Sequence, residues 1–272
     1  MASDNPRAVK PFVHPLWGFA IALPSSWAHR RVQDGDAFAE IEEAFESGYA
    51  GPLAGHVILQ AEWNGLRREV EPIWQDHLAR VAVMLGAKQV GSAPWRIGPA
   101  IGLEAEIALP RQDPNRLWLG VLSHDLVVLK ALVSHPLERR AAFEPQATAI
   151  LRSLRFLRGV DGLTRHACGL PLPPESTPVP AADILTDLSA EGAWDAYETP
   201  HSVGALQAFY WREAPAAGWE ISSFQPFPGD HPHPFARLGL RKAQAVVALG
   251  ILPGAPDAAG ESPRTHLALN VR

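Results

Sequence analysis

The stretch from residue 88 to residue 133 limits the fold most tightly, because short apolar runs follow one another there with turn signals between them. The runs are KQVGSAPWRI, AIGLEAEIAL, RLWLGVLS and LVVLKALV. They are separated by Gly98 and Pro99, by PRQDPN, and by His124 and Asp125. Short apolar runs divided by Gly, Pro, Asn and Asp are typical of strands joined by tight turns. The stretch therefore predicts an antiparallel meander.

Strands and helices are also predicted on both sides of the meander. WGFAIALPSSW (17–27) indicates a strand that ends at Pro24, and HVILQAEW (56–63) indicates a second strand. A helix is predicted over 71–86, because Pro72 lies in its first turn and Gly86 follows its end. A second helix is predicted over 144–156, opening at Pro145. Apolar residues at helical spacing are expected to face the core, namely Ile73, Trp74, Leu78, Val81 and Leu85 in the first helix and Ala147, Ile150, Leu151 and Leu154 in the second.

The proline-rich segment CGLPLPPESTPVP (168–180) divides the chain. Proline fixes φ and lacks an N–H, so the segment is predicted to be a linker or an extended edge rather than a helix or central strand. After it, AWDAYETP indicates a strand, Ser202 is expected to cap a helix that ends near Pro215 and Gly218, and four more strands follow. The predicted fold class is α+β, with two modules that are each an antiparallel sheet packed by helices. The predicted boundaries are 1–160, a linker over 161–180, and 181–272.

Charge and motif content argue against several classes of function. Residues 1–160 hold 17 basic and 17 acidic residues, and residues 161–272 hold 7 and 12, so no basic excess indicates nucleic-acid binding. The sequence contains no phosphate-binding glycine motif, no G-x-S-x-G and no H-E-x-x-H. We therefore predict no cofactor. No apolar run reaches the roughly 18–20 residues of a membrane helix, and MASDNPRAVKPFVHP lacks a secretory h-region, so a cytoplasmic location is expected unless a signal has been removed.

The segment PFPGDHPHPF (226–235) contains the only predicted metal-ligand candidates. Asp230, His231 and His233 lie within four residues of one another. A zinc site needs three or four converging ligands, and neighbouring loop residues seldom converge. The prolines between them favour an extended connector between two strands. We expect the connector, and the metal site is the weaker alternative.

Catalytic candidates are few and scattered. Cys168 is the single cysteine and His166 lies two residues before it. A proline-rich segment is expected to hold such a pair poorly, so a partly buried, inert thiol is the main prediction. His77, His124 and Asp125 are the residues we would assign to an enzyme, although Asp125 favours a hairpin turn. The acidic residues Glu40, Glu42, Glu43 and Glu46 are expected to form a solvated face.

The nine tryptophans are expected to lie mostly in the core, since each buries a large area. Trp211 is the exception. It lies off the centre of the helical stripe formed by Val203, Leu206, Phe209 and Tyr210. It is predicted either to pack where the two modules meet or to form part of an interface with another protein.

The first half resembles the Mog1/PsbP-like family. The resemblance rests on FAIALPSSW near the start and on ILRSLRF at the end of the segment, and it covers about residues 10–158. It implies an α/β/α sandwich on an antiparallel sheet. Proteins of this kind mostly bind other proteins, and no shared catalytic motif maps onto this chain. The second half, with LPLPPEST and LQAFYWREAPAAGW, resembles a small α+β module of bacterial envelope and lipoprotein chains.

These observations favour a non-enzymatic protein-binding or adaptor protein, because no catalytic constellation is visible in a chain rich in tryptophan. A small-molecule or lipid carrier is the first alternative, and it predicts a closed apolar pocket of several hundred Å³ between a sheet and its helices. An enzyme is the second alternative, and it predicts buried, charge-paired His, Glu or Asp lining a cleft.

Overall fold

The computed structural model describes residues 8–32, 35–45, 55–110, 115–184, 193–229, 233–254 and 264–272. The described residues form two compact units. The first unit runs to Val13 and continues over Phe19–Phe156, and the second comprises His14–Gly18 and Leu157–Arg272.

The elements before residue 157 are, in chain order, β1 (Val9–His14), β2 (Phe19–Pro24), β3 (Ala28–Val32), β4 (Gly35–Ala39), a 3-10 helix (Glu42–Phe45), β5 (His56–Trp63), α1 (Val70–Leu85), β6 (Lys88–Ile97), β7 (Ala100–Ala108), β8 (Asn115–His124), β9 (Val127–Pro136), a 3-10 helix (Leu137–Arg139), α2 (Arg140–Arg152) and β10 (Arg155–Phe156). Those after it are β11 (Thr177–Val179), a 3-10 helix (Ala181–Asp183), β12 (Trp194–Thr199), α3 (Val203–Ala216), β13 (Glu220–Gln225), β14 (Ala236–Lys242), β15 (Ala245–Pro253) and β16 (Thr265–Val271).

A seven-stranded antiparallel sheet of order β3-β4-β5-β9-β8-β7-β6 forms the first unit, and the predicted meander is its β6–β9 portion. Successive side chains of a strand point to opposite faces. On β8, Leu117, Leu119 and Val121 pack in one core cluster with Ile73 and Trp74 of α1. The other face receives α2, which packs against β9 and β2. The predicted α+β class and the helix–sheet–helix layering are confirmed.

The helix α1 follows its predicted bounds closely. Gly86 adopts φ 62° and ends it, a left-handed conformation that glycine adopts without steric cost. Ile73, Trp74 and Val81 are buried, as the spacing predicts. Leu85 was predicted to face the core but is 45% exposed, and it lies outside the core cluster that contains Ile73, Trp74 and Val81.

The helix α2 begins earlier than predicted, at Arg140 rather than near Pro145. Pro145 lies inside the helix and removes one backbone hydrogen bond. Tertiary packing offsets this loss, because Phe143 is fully buried and stacks on Trp27 with ring centroids 5.6 Å apart. The predicted helical end over 153–156 is also wrong: Arg155 and Phe156 form β10, which pairs with β2.

A six-stranded antiparallel sheet of order β11-β12-β16-β15-β14-β13 forms the second unit. The helix α3 packs on β13, β14 and β15, and Ser202 caps it by accepting a hydrogen bond from the Ala205 N–H at 3.3 Å. Leu206, Phe209 and Tyr210 of the predicted stripe are completely buried. The sheet and the stripe enclose one core cluster.

The proline-rich segment lies within the second unit, whereas the sequence placed a linker over 161–180. Leu170 is fully buried in the core cluster, and Thr177–Val179 form the edge strand β11. The other prediction for the same prolines was an extended edge strand, and β11 is such a strand. Proline is compatible with an edge strand because the missing N–H breaks no central ladder.

A buried ion pair joins three segments of the second unit. The Arg212 guanidinium donates to the carbonyl oxygens of Leu16 at 2.8 Å and Pro15 at 2.5 Å, and its Nε donates to Glu213 at 2.6 Å. The Glu213 carboxylate also accepts from the Val160 N–H at 3.0 Å. Burial lowers the pKa of Arg212, and the adjacent Glu213 partly offsets this effect. Nearly every hydrogen-bonding group of Arg212 and Glu213 therefore has a partner.

Within the described residues, no helix is long and apolar enough to cross a membrane.

Two substitutions on α1 test its burial pattern. Trp74→Ala is expected to lower the free energy of unfolding by about 3–5 kcal/mol, because Trp74 is 1% exposed and its loss opens a cavity. Val83→Ala on the same helix is the control, since Val83 is 85% exposed, and it should stay within about 0.5 kcal/mol. Urea unfolding followed by circular dichroism measures both. Equal effects of the two substitutions would contradict the assigned face.

Candidate functional site

A groove of about 920 Å³ lies in the first unit beside α2, over the α2 side of β6, β7, β8 and β9. The helix covers this face of the sheet at β9, and the groove continues over the strands beyond it. Pro94–Gly98 of β6 and the turn after it line the groove, and β6 is the edge strand of the sheet. The groove therefore extends to the edge of the sheet.

Two tryptophans form the aromatic part of the groove. The Trp95 and Trp118 rings meet edge to face, with centroids 5.2 Å apart and planes at 84°. Such a pair contributes about 0.5–1.5 kcal/mol beyond its buried area. Gly120 makes the arrangement sterically possible, because a Cβ at this position would lie 2.6 Å from atoms of both rings.

Charged side chains surround the tryptophan pair. Four arginines and three glutamates line the groove, namely Arg96, Arg116, Arg140 and Arg152 with Glu104, Glu106 and Glu144. This local balance is positive, whereas the whole chain has a net charge of −5. The groove is thus both aromatic and cationic.

The arginines differ in how far they are neutralised. Arg140 lies 3.1 Å from Glu144, while Arg116 and Glu106 are 3.9 Å apart. The Arg116 Nε is buried without a hydrogen-bond partner among the described residues. Arg96 and Arg152 are exposed and make no ion pair with any residue that the structure describes. Several guanidinium donors are therefore available to an anionic group.

Two further titratable groups lie in the groove wall. His135 is buried, its Nδ1 donates to the Pro136 carbonyl at 2.9 Å, and its Nε2 lies 3.3 Å from Glu144. Burial raises the pKa of Glu104, and a hydrogen bond with the Trp118 side chain partly offsets this shift. These contacts position the walls of the groove.

Sequence reasoning singled out none of the charged groove residues. A signal was present on β8, where Arg116 and Trp118 alternate with the apolar Leu117 and Leu119. The alternation marks a second, polar face of a central strand. It did not reveal that Arg152, from α2, would lie beside the same face.

The predicted metal candidates are only partly covered by the structure. Asp230 and His231 lie outside the described residues. His233 is exposed, and its ring centroid is 5.6 Å from that of Phe235. No group of three or more potential metal ligands occurs among the described residues.

The predicted Cys168 and His166 pair does meet, in the second unit. His166 Nδ1 is 3.0 Å from Cys168 Sγ and His166 Nε2 is 2.9 Å from Asp195 Oδ2. The expectation that this segment would hold the pair poorly is wrong. His166 and Leu170 are bonded through their backbones at 2.9 Å, and Gly169, with φ 85°, donates to the His166 carbonyl at 2.8 Å.

The enzyme candidates His77, His124 and Asp125 lie apart from the groove lining. Asp125, with φ 53°, and Leu126 form the two-residue turn between β8 and β9, as the turn interpretation predicts. His124 packs on Phe156 with centroids 4.4 Å apart, and burial lowers its pKa. His77 is on α1, where burial and then Lys130 lower its pKa to about 4.

The acidic run has a structural role at Glu40. This carboxylate bonds Arg139 at 2.6 Å and the Gln146 amide at 2.9 Å, and so holds the start of α2. Glu42 pairs with Arg30 at 2.8 Å and Glu43 is exposed, which fits the expected solvated face. Glu46 lies outside the described residues.

Trp211 packs inside the second unit. It is half-buried on α3, with its ring centroid 5.3 Å from that of Phe224 on β13. Its assignment to an interface stays a prediction.

No family model and no curated protein matches the sequence. Among solved structures, the chain is similar to the cyanobacterial PsbP protein CyanoP from Synechocystis sp. PCC 6803, with 8% identity, a TM-score of 0.44, and coverage of 57% of this chain and 96% of CyanoP. It is also similar to PA94 from Pseudomonas aeruginosa, described as a putative regulator, with 12% identity, a TM-score of 0.35, and coverage of 49% and 88%. LpqN from Mycobacterium tuberculosis, described as involved in cell envelope biogenesis, matches with 8% identity, a TM-score of 0.39, and coverage of 56% and 87%.

Gly120→Ala tests the packing of the tryptophan pair. The added Cβ displaces both rings, so the free energy of unfolding should fall by about 1–3 kcal/mol and the near-ultraviolet circular dichroism should change. Gly250→Ala is the matched strand control, because its nearest neighbour would lie at 3.4 Å, an ordinary contact. An unchanged tryptophan spectrum in Gly120→Ala would show that the rings do not pack against this position.

The lowered pKa of His77 predicts that the folded protein loses stability in acid. Its folded-state pKa of about 4 lies below the ordinary 6.5, so the unfolded chain takes up the proton first and stability falls as the pH drops through this window. The full loss should be up to about 3 kcal/mol, at 1.36 kcal/mol per pKa unit. His77→Gln should lose correspondingly less between neutral and acidic pH, as measured by urea unfolding, while His233→Gln should behave like wild type. An identical pH slope in His77→Gln and wild type would rule His77 out as the cause.

Proposed function

We propose that the chain is a non-enzymatic protein-binding protein, and that the groove of the first unit binds a partner segment carrying carboxylates and apolar side chains. The observation that supports this most strongly is the combination of the Trp95 and Trp118 pair with unpaired Arg96 and Arg152 in one groove. Tryptophan and arginine are the residue types that contribute most to protein interfaces.

The shape of the groove favours a polypeptide segment. The groove reaches the edge strand β6, so a chain can enter it and leave it along the sheet edge. Guanidinium groups bind carboxylates through paired, directed N–H donors, and this selects an acidic over a basic segment. The apolar side chains of the segment would pack on the indole rings.

A small-molecule carrier is the second candidate, because the volume of about 920 Å³ falls within the range of ligand pockets and the groove lies between sheet and helix. The lining departs from the predicted closed apolar pocket, since seven charged side chains contribute to it. This departure makes the carrier the weaker proposal. The cytoplasmic location expected from the N-terminal sequence stays a prediction, and neither proposal depends on it.

The binding proposal predicts charge-selective peptide binding. A fluorescein-labelled peptide of Glu, Leu and Trp should bind the full chain, and the same peptide with every Glu replaced by Lys should not. Arg152→Glu should weaken binding at least about tenfold, equivalent to 1.4 kcal/mol, because it places a like charge opposite the peptide carboxylates. Arg80→Glu, exposed on α1 of the same unit, should leave the affinity unchanged. Fluorescence anisotropy at two salt concentrations measures each affinity.

Equal affinities for the acidic and the basic peptide, or equal effects of the two arginine substitutions, would exclude the groove as the binding site. Native mass spectra of the purified protein, with dodecanoate as the added probe, address the carrier. A bound fatty acid that is lost in Arg152→Glu, without peptide binding, would replace the protein-binding proposal by the carrier.

A further inference from the structure

Three polar side chains of the second unit form a hydrogen-bonded series that ends at the single cysteine. Asp195 of β12, His166 and Cys168 are joined by contacts of 2.9 Å and 3.0 Å. The sulfur and the histidine are held at the tip of the hairpin around Gly169, and Leu170 anchors this hairpin in the core. The arrangement is separate from the groove of the first unit and serves no part of the proposed binding.

The hydrogen bonds determine the tautomer of His166. A carboxylate only accepts hydrogen bonds, so His166 Nε2 must carry the proton that it shares with Asp195. In the neutral ring, Nδ1 is then the acceptor. Nδ1 indeed receives the Cys168 backbone N–H at 3.2 Å and faces the Cys168 thiol. The basic nitrogen is therefore the one directed at the sulfur.

This tautomer allows His166 to act as a general base on Cys168. The thiolate, not the thiol, is the nucleophilic form of cysteine. A neighbouring imidazole that takes the thiol proton and is oriented by a third group is the usual arrangement for activating such a nucleophile. Asp195 would stabilise the imidazolium formed when the proton is transferred, and it is a positioning residue because it acts through His166.

A buried hydroxyl near the thiol provides an independent observation. Tyr210 is completely buried in the core cluster against which Cys168 packs. Its hydroxyl has no hydrogen-bond partner among the described residues. Burial raises the pKa of Tyr210, and Tyr197 and Cys168 add to the shift. An unpartnered buried donor costs free energy, and this hydroxyl belongs to the same core cluster that Cys168 contacts.

We propose that Cys168 is a redox-reactive thiol, activated by His166 and Asp195, which a small hydroperoxide oxidises to a sulfenic acid. The thiol proton passes to His166 Nδ1, and the thiolate attacks the terminal peroxide oxygen. The S–O bond forms as the O–O bond breaks, and the leaving alkoxide or hydroxide takes the proton back from Nδ1. The sulfur loses two electrons and the hydroperoxide is reduced to an alcohol or water. Cys168 is half-buried, which admits a small neutral oxidant more readily than a bulky substrate.

The first experiment measures alkylation of the full chain by iodoacetamide, and the single cysteine makes the rate specific to Cys168. At neutral pH the wild-type rate should exceed that of Asp195→Asn by about 10-fold to 100-fold, at or below the lower end of general-base effects because Asp195 acts only through His166. The Asn side chain can donate to Nε2, which would place the ring proton on Nδ1 and remove the base. Asp161→Asn, an exposed aspartate of the same unit, is the control and should react like wild type.

The pH profile separates activation from accessibility. At about pH 10.5 a thiol with an ordinary pKa of about 8.5 ionises without help, so the rates of wild type and Asp195→Asn should converge. A variant that merely reduced access to the sulfur would still be alkylated slowly at this high pH. His166→Ala should behave like Asp195→Asn, with His266→Ala as its control.

The second experiment exposes the same proteins to hydrogen peroxide and traps the sulfenic acid with dimedone, with mass spectrometry of the intact chain as the readout. A dimedone adduct on wild type that falls at least about tenfold in Asp195→Asn supports the proposal. Equal alkylation rates in wild type and Asp195→Asn at neutral pH, or no dimedone adduct on wild type, would overturn it.

Discussion

The binding groove depends on one constraint, which is the two-residue alternation of side chains in the seven-stranded sheet. On β8, Leu117, Leu119 and Val121 face α1, while Arg116 and Trp118 face the groove. A shift of register by one residue would exchange these sets, and would place an arginine under α1 and leucines in the groove. The burial of one set against α1 therefore fixes the register that presents the other set. The same strand register therefore produces both the buried core on one face of the sheet and the proposed binding surface on the other.

Local patterns predicted much of this fold. The run HVILQAEW became β5 with the predicted bounds, and Gly86 ended α1 where its position indicated. The start of α2 was missed because Pro145 suggests a first turn, whereas the burial of Phe143 holds that proline inside the helix. Tertiary packing overruled a local signal there. The segment 161–180 was predicted as a linker, but Leu170, which directly precedes Pro171, is buried in the core of the second unit.

The candidate sites were harder to predict because their members come from distant parts of the chain. Trp118 and Arg152 lie on a strand and on a helix, and only the packing of α2 beside β9 brings them to one groove. Cys168 and His166 could be picked out as neighbours in the sequence. The residue that gives the pair its chemistry is Asp195, 27 residues beyond Cys168, and nothing in the local pattern connects it to His166.

Some polar groups of the chain have hydrogen-bond partners within the fold and others do not. We assign structural roles to the first kind and functional roles to the second. Arg212 and Glu213 are buried, and their hydrogen-bonding groups are directed at each other and at the backbone of two other segments, so they leave little capacity for a ligand. Arg96 and Arg152 in the first unit and the Tyr210 hydroxyl in the second have no such partners among the described residues. Arg96 and Arg152 are exposed, so water solvates their donors and a ligand can replace that water, whereas the buried Tyr210 donor costs free energy while it lacks a partner. The groove holds the exposed donors that a ligand can use, and the Cys168 hairpin packs against the core that contains the buried one.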